Sequence, residues 1–152
     1  MKKVLFIFVL MALAFTVSCC SKDDGPSAGP SAKGFITLKA DGVQKTFPLI
    51  KVYENVMLEG TPEEYTELYI SAGTDHSGWS DAVELSIKKG DLSGNAVFTY
   101  IQEGDIGYIT ADNFTINVIS NGDDKKLIGT FSGDMLGITA FTITEGIFNI
   151  QY

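Results

Sequence analysis

The residues of this chain with the greatest chemical reach fall in one short segment, Thr74-Asp75-His76-Ser77-Gly78-Trp79-Ser80-Asp81. It holds the single His and the single Trp. Ser, His and Asp together raise the question of nucleophilic catalysis, which requires three side chains to converge. Asp75, His76 and Ser77 are consecutive, so their side chains diverge and form no relay. Nothing in the spacing of Ser80 and Asp81 demands that they curl back to complete one. Two readings remain for His76 and Trp79. In one, the segment is a surface loop whose Trp79 covers an end of the core. In the other it contacts a ligand, with Trp79 and a tyrosine such as Tyr65 or Tyr69 stacking on a sugar or another planar apolar face.

Other candidate chemistry is thinner. Asp91, Ser93 and Asn95 alternate as at the start of a calcium loop, but such a loop wants Gly at its sixth place and Glu at its twelfth. Those places hold Ala96 and Gln102, so no metal site is expected. Glu63, Glu64 and Glu67 could pair for glycoside hydrolysis, which needs two carboxyls about 5 to 9 Å apart across a cleft. Adjacent Glu residues on a Pro-containing loop do not supply that, and the expectation is a non-enzyme without a cofactor. One His cannot build a His-rich metal site, and the neighbouring Cys19 and Cys20 cannot staple distant strands. The chain has 152 residues, a formal charge of -8 and Lys as its only strong base. An acidic chain without Arg is a poor fit to nucleic acid, whose phosphates need clustered cations.

The elements that must carry these residues read as strands. Val83, Leu85 and Ile87 alternate with Glu84, Ser86 and Lys88, giving one apolar and one wet face. Ile36, Leu38 and Ala40 repeat the pattern near the start, Phe114, Ile116 and Val118 in the middle, and Phe148, Ile150 and Tyr152 at the end. Gly-containing turns punctuate them. Asp41-Gly42 suits a type I′ hairpin, and Asn121-Gly122-Asp123-Asp124 reads as a second one. Thr61-Pro62-Glu63-Glu64 reads as a loop cap. In Gly129-Thr130-Phe131-Ser132-Gly133, glycines within a strand imply close approach of a neighbour. The fold class expected is all-β: one antiparallel sandwich or barrel of roughly eight to ten short strands over residues 34-152.

Before that body lie a leader and a tether. Lys2 and Lys3 precede Val4 to Val17, a run apolar apart from Thr16. It falls short of the roughly 20 residues a spanning helix needs, and it has the charge, core length and small-residue end of a secretory signal peptide. The end of the run, Val17-Ser18-Cys19-Cys20, resembles the lipobox of bacterial lipoproteins, in which a Cys is acylated before cleavage. Cys20 is the favoured anchor, with Val17 in the aliphatic place. Cys19 is the alternative, with Ser18 before the cut. Ser21-Lys22-Asp23-Asp24 is similar to the signal that sends some Gram-negative lipoproteins to the cell surface. A signal peptide over 1-19 and an acylated, flexible tether over 20-33 follow from this resemblance. The repeated Gly-Pro-Ser-Ala of that tether lacks any large apolar residue and cannot order itself.

Cleavage before Cys20 removes two Lys and no acid, leaving nine Lys against nineteen acids and a formal charge of -10. Anionic lipid would repel such a protein, so the covalent lipid would have to do the holding. The last third of the body, Gly129 to Gly133 and then Ile143-Thr144-Glu145-Gly146-Ile147-Phe148 to Tyr152, also resembles uncharacterised all-β lipoprotein domains. That resemblance implies a fold and no activity.

The functional expectation is a lipid-anchored binding or interaction module on the outer membrane, facing the exterior. Its partners would be the membrane through the lipid, and a glycan or an envelope protein. The alternatives are a barrel carrying a small apolar ligand, and a structural envelope module with no small-molecule ligand. Radiolabelled palmitate should enter the wild-type protein in a Gram-negative host and should not enter Cys20→Ser. Retention of label in that variant, with loss in Cys19→Ser, would move the anchor by one residue.

Overall fold

The computed structural model describes residues 31-75, 81-103 and 106-152. Cys19, Cys20, Ser21, Lys22, Asp23, Asp24, His76 and Trp79 lie outside them. Ten strands follow one another: β1 (Lys33–Ala40), β2 (Val43–Phe47), β3 (Leu49–Met57), β4 (Tyr65–Gly73), β5 (Ala82–Lys88), β6 (Ala96–Gln102), β7 (Ile106–Thr110), β8 (Thr115–Asn121), β9 (Lys126–Leu136) and β10 (Phe141–Gln151). The described residues contain no helix. All strand pairs are antiparallel, and together they form one nearly closed, barrel-like sheet.

The path round the barrel is a meander with two interruptions. β2 and β3 run in the same direction with only Pro48 between them, β2 pairing with β1 and β3 with β4. Proline has no N–H for the ladder and a fixed φ, so it breaks what would otherwise be one strand. The chain just before β1 continues that pairing. Ser31 bridges to Lys51, and the Ala32 N–H donates to the Ile50 carbonyl at 3.1 Å. The sheet therefore takes up the end of the segment that the sequence assigns to the tether. β7 and β8 are the second interrupted run. Both pair with β9, and a turn from Ala111 to Phe114 separates them. β1 pairs with β10, joining the first strand to the last.

One seam is not a ladder. Among the described residues β8 has no strand partner on the side away from β9, and the connection between β5 and β6 lies there instead. Gly94 comes up against the Ile116 carbonyl. The buried Asn121 amide donates to the carbonyls of Lys88 at 2.8 Å and Asp91 at 3.0 Å. A register shift between Val118 and Ser120 changes the alternation, which is how a polar residue comes to face inward at the end of β8.

The inward faces carry the core, and rings fill much of it. Phe47 on β2 meets Tyr100 on β6 edge-on with centroids 6.3 Å apart, and Tyr100 meets Phe141 of β10 at 5.3 Å. These strands are not neighbours in the sheet, so the contacts cross the interior. Deeper, Phe98, Phe114, Phe131 and Phe148 form a second group with centroids 4.7 to 6.2 Å apart. Glycines make room for it. A Cβ on Gly129 would run into the Phe148 ring and the Asn117 carbonyl, and one on Gly146 into the Phe131 ring and carbonyl. The Asp41-Gly42 turn has φ of 47° and 81°. Two positive φ values are what a type I′ turn requires.

Gly129→Ala should cost about 3 kcal/mol, the upper end of overpacking penalties. Gly107→Ala, where a Cβ meets nothing within 4 Å, should change stability by no more than about 0.5 kcal/mol. Urea denaturation of the two variants measures both.

Candidate functional site

Two places on the barrel gather polar groups and aromatic rings. The first is the outer face of β3, β4 and β5. Alternation turns Leu68, Ile70 and Ala72 into the core and sends Tyr65, Glu67 and Tyr69 outward. Tyr69 stands opposite Tyr53 of β3, with ring centroids 5.9 Å apart. On its other side Tyr69 stands opposite Ser86 of β5. Burial and a hydrogen bond to the Glu84 carboxylate push the Tyr69 phenol well above its ordinary value. Tyr65 lies four residues back along β4, about 13 Å away at the rise of a strand. The Lys88 ammonium sits 5.2 Å from its ring centroid. A shallow depression of about 430 Å³ runs beside it, bordered by Tyr65, Glu67, Ser86, Lys88 and Val97. Three half-buried phenol rings thus share one face with carboxylates, a hydroxyl and an amine.

The second place is the mouth of the barrel, at the end where the β1–β2 and β9–β10 turns lie. Lys45 shares the inward parity of Phe47, so its ammonium comes in beside the core. It forms an ion pair with Asp81 and lies 5.9 Å from the centroid of the Tyr100 ring. Their side chains are only 25% and 14% exposed, which makes the pair less screened than a surface one. Asp81 also accepts the Glu103 N–H at 3.3 Å, and its own carbonyl accepts the Thr74 N–H at 3.1 Å. Asp81 therefore ties β2 to the connection after β6 through its carboxylate, and to the connection after β4 through its backbone carbonyl.

Partial burial works against both charges. The bonds of Lys45 to Asp81 and Tyr100 outweigh it, so the Lys45 amine rises above its unfolded value of 10.5. Burial likewise opposes the Asp81 anion, but bonds from Lys45, Tyr100 and the Glu103 backbone hold its pKa below 3.8. Burial lifts Tyr100 to about 12, with Lys45 pulling the other way and Asp81 adding to the rise.

Of the residues named from sequence, Tyr65 and Tyr69 are brought onto one face. His76 and Trp79 lie outside the described residues. Asp91 spends its carboxylate on the Ser93 N–H and hydroxyl at 2.8 and 2.9 Å, an Asx turn that accounts for the alternating pattern. Glu64 accepts the Gly60 N–H at 2.8 Å within its turn, while Glu67 stands on β4 opposite Lys88. The sequence reading missed Tyr53, Lys45 and Tyr100 as members of a site, and weighed Asp81 only as a member of a relay. The signal for Lys45 was a cation on the apolar phase of Val43, Lys45 and Phe47. Comparison with known proteins returns no matching family, no matching curated protein and no matching solved structure.

The mouth network carries a pH signature. A lowered Asp81 pKa contributes stability that is present above 3.8 and is lost as pH falls through the folded value. A raised Lys45 pKa contributes stability that is present below 10.5 and is lost as pH rises through its folded value. Wild-type stability should form a plateau between these limits. Asp81→Asn should lower the plateau by about 2 kcal/mol and flatten its acid limb. Urea melts across pH 2 to 11 check this, and an unchanged acid limb would remove Asp81 as its source.

Proposed function

We propose that this chain is a lipid-anchored module of a bacterial envelope, turned to the exterior, that binds an extended glycan along its tyrosine face. The observation that carries the reading is the alignment of Tyr53, Tyr69 and Tyr65 on adjoining strands. Phenol rings offer flat apolar faces that the C–H side of a sugar covers, and the Glu84 carboxylate holds the Tyr69 hydroxyl. Glu67, Glu84, Ser86 and Lys88 stand around them on the same face and match the hydroxyl rim of a saccharide. The sheet is long and open here, so a chain of sugars can lie across it without entering a cleft. Trp79 extends the aromatic set in sequence, six residues after Gly73 at the end of β4.

The leader and the Cys20-Ser21-Lys22-Asp23-Asp24 sequence support the address. A protein with this acidic balance gains nothing from anionic lipid, which favours attachment by acyl chains. The carrier reading has less support. Rings from β2, β6, β9 and β10 occupy the interior that an apolar ligand would need.

Tyr69→Ala and Tyr53→Ala should each weaken binding to cell-wall or dietary glycans about three- to tenfold, and Trp79→Ala should weaken it as well. Glycan-array and calorimetric titration of wild type and variants measures this. Equal binding by all, or none by any, sinks the glycan reading. Protease treatment of intact cells should remove the domain, and protection from it would refute the outward address.

A further inference from the structure

We propose that the mouth of the barrel is a second binding site, for a small neutral polyhydroxylated molecule of one or two sugar rings. It is separate from the tyrosine face and does not rest on the glycan reading. The cavity there is half open and holds about 320 Å³, the small end of the range for ligand pockets. Its depth is fixed by a floor of rings. Tyr100 and Tyr108 are both buried, and Phe141 packs against them at 5.3 and 4.8 Å. A long apolar chain has no way down past them, so the cavity fits a compact molecule.

The walls divide by chemistry. Val43 and Phe141 present apolar surface. Lys45, Gln102 and Asp41 add polar groups to the same lining. The Gln102 carbonyl oxygen accepts the Tyr108 hydroxyl at 3.2 Å. Its amide N–H groups have no hydrogen-bond partner among the described residues, so two donors are left over. Asp41 takes the Thr142 N–H on Oδ1 at 3.0 Å, and its Oδ2 has no partner among the described residues. Lys45 has three N–H donors, and its bonds go to Asp81 and Tyr100.

Spare donors and a spare acceptor around an apolar wall suit hydroxyl groups, which give and take at once. Charge argues the same way. Lys45 and Asp81 neutralise one another, which leaves the Asp41 carboxylate uncompensated at the mouth of a chain whose formal charge is -8. An anion would enter against that charge, and a cation would meet the Lys45 ammonium in the wall.

The test is calorimetric titration of the full chain with glucose, galactose, mannose, N-acetylglucosamine and cellobiose, alongside glucuronic acid, glucosamine and decanoic acid. At least one neutral sugar should bind saturably and more tightly than the charged probes and the fatty acid. Gln102→Ala and Asp41→Asn should each weaken it about three- to tenfold. Asn is well suited to the first place of a type I′ turn, so Asp41→Asn keeps the fold. Tyr69→Ala should leave this binding unchanged while it weakens the long glycan, which separates failure here from failure of the other site. The proposal is overturned if none of the neutral sugars saturates, or if glucuronic acid, glucosamine or decanoic acid binds more tightly. Binding that survives both mouth variants but falls with Tyr69→Ala overturns it too.

Discussion

Phe148 takes the space above Gly129, and Phe131 takes the space above Gly146. This reciprocal seating of ring on glycine between β9 and β10 is the constraint on which the rest of the barrel depends. A small barrel must fill its interior with side chains and still let its strands lie close enough to bond. Rings supply the volume, and the missing Cβ atoms supply the clearance. Because the two strands exchange ring for glycine in both directions, neither can shift register without driving a ring into backbone. β10 in turn pairs with β1, so the position of the first strand is inherited from this contact.

The same filling explains where ligand chemistry is able to sit. With the axis occupied, open space remains on the outer face and at the mouth. At the mouth the charged groups are not solvated ornaments. Asp81 is shared between a lysine from β2, a phenol from β6 and a backbone amide after β6, and it opens β5. A mostly buried carboxylate holding three elements together is costly to leave half satisfied, and that cost keeps the rim in one arrangement.

The all-β class and most strands were legible because period-two alternation is a direct record of which side faces water. The Asp41-Gly42 turn was legible because two positive φ values narrow the choice of residues. Glycines in the Gly129 to Gly133 stretch were legible as close approach, but not which ring would approach. That Phe148 answers Gly129 depends on pairing between β9 and β10, and a one-dimensional pattern does not contain pairing. The break at Pro48 was hidden for a related reason. Proline marked the end of a strand, yet the chain carries on in the same direction and only changes partner. Lys45 was passed over because cations on strands are usually wet. Its parity with Phe47 was the clue. The alignment of Tyr53 with Tyr69 likewise exists only once β3 is laid against β4.

The barrel has two unlike poles. The described chain enters at Ser31, beside Lys51 and at the foot of β1, while Lys45, Gln102 and Phe141 gather round the head of the same strand. Eight residues of β1 separate them, about 26 Å of extended chain. The rim therefore opens at the end of the barrel opposite Ser31, and the tyrosines run up the side between the two.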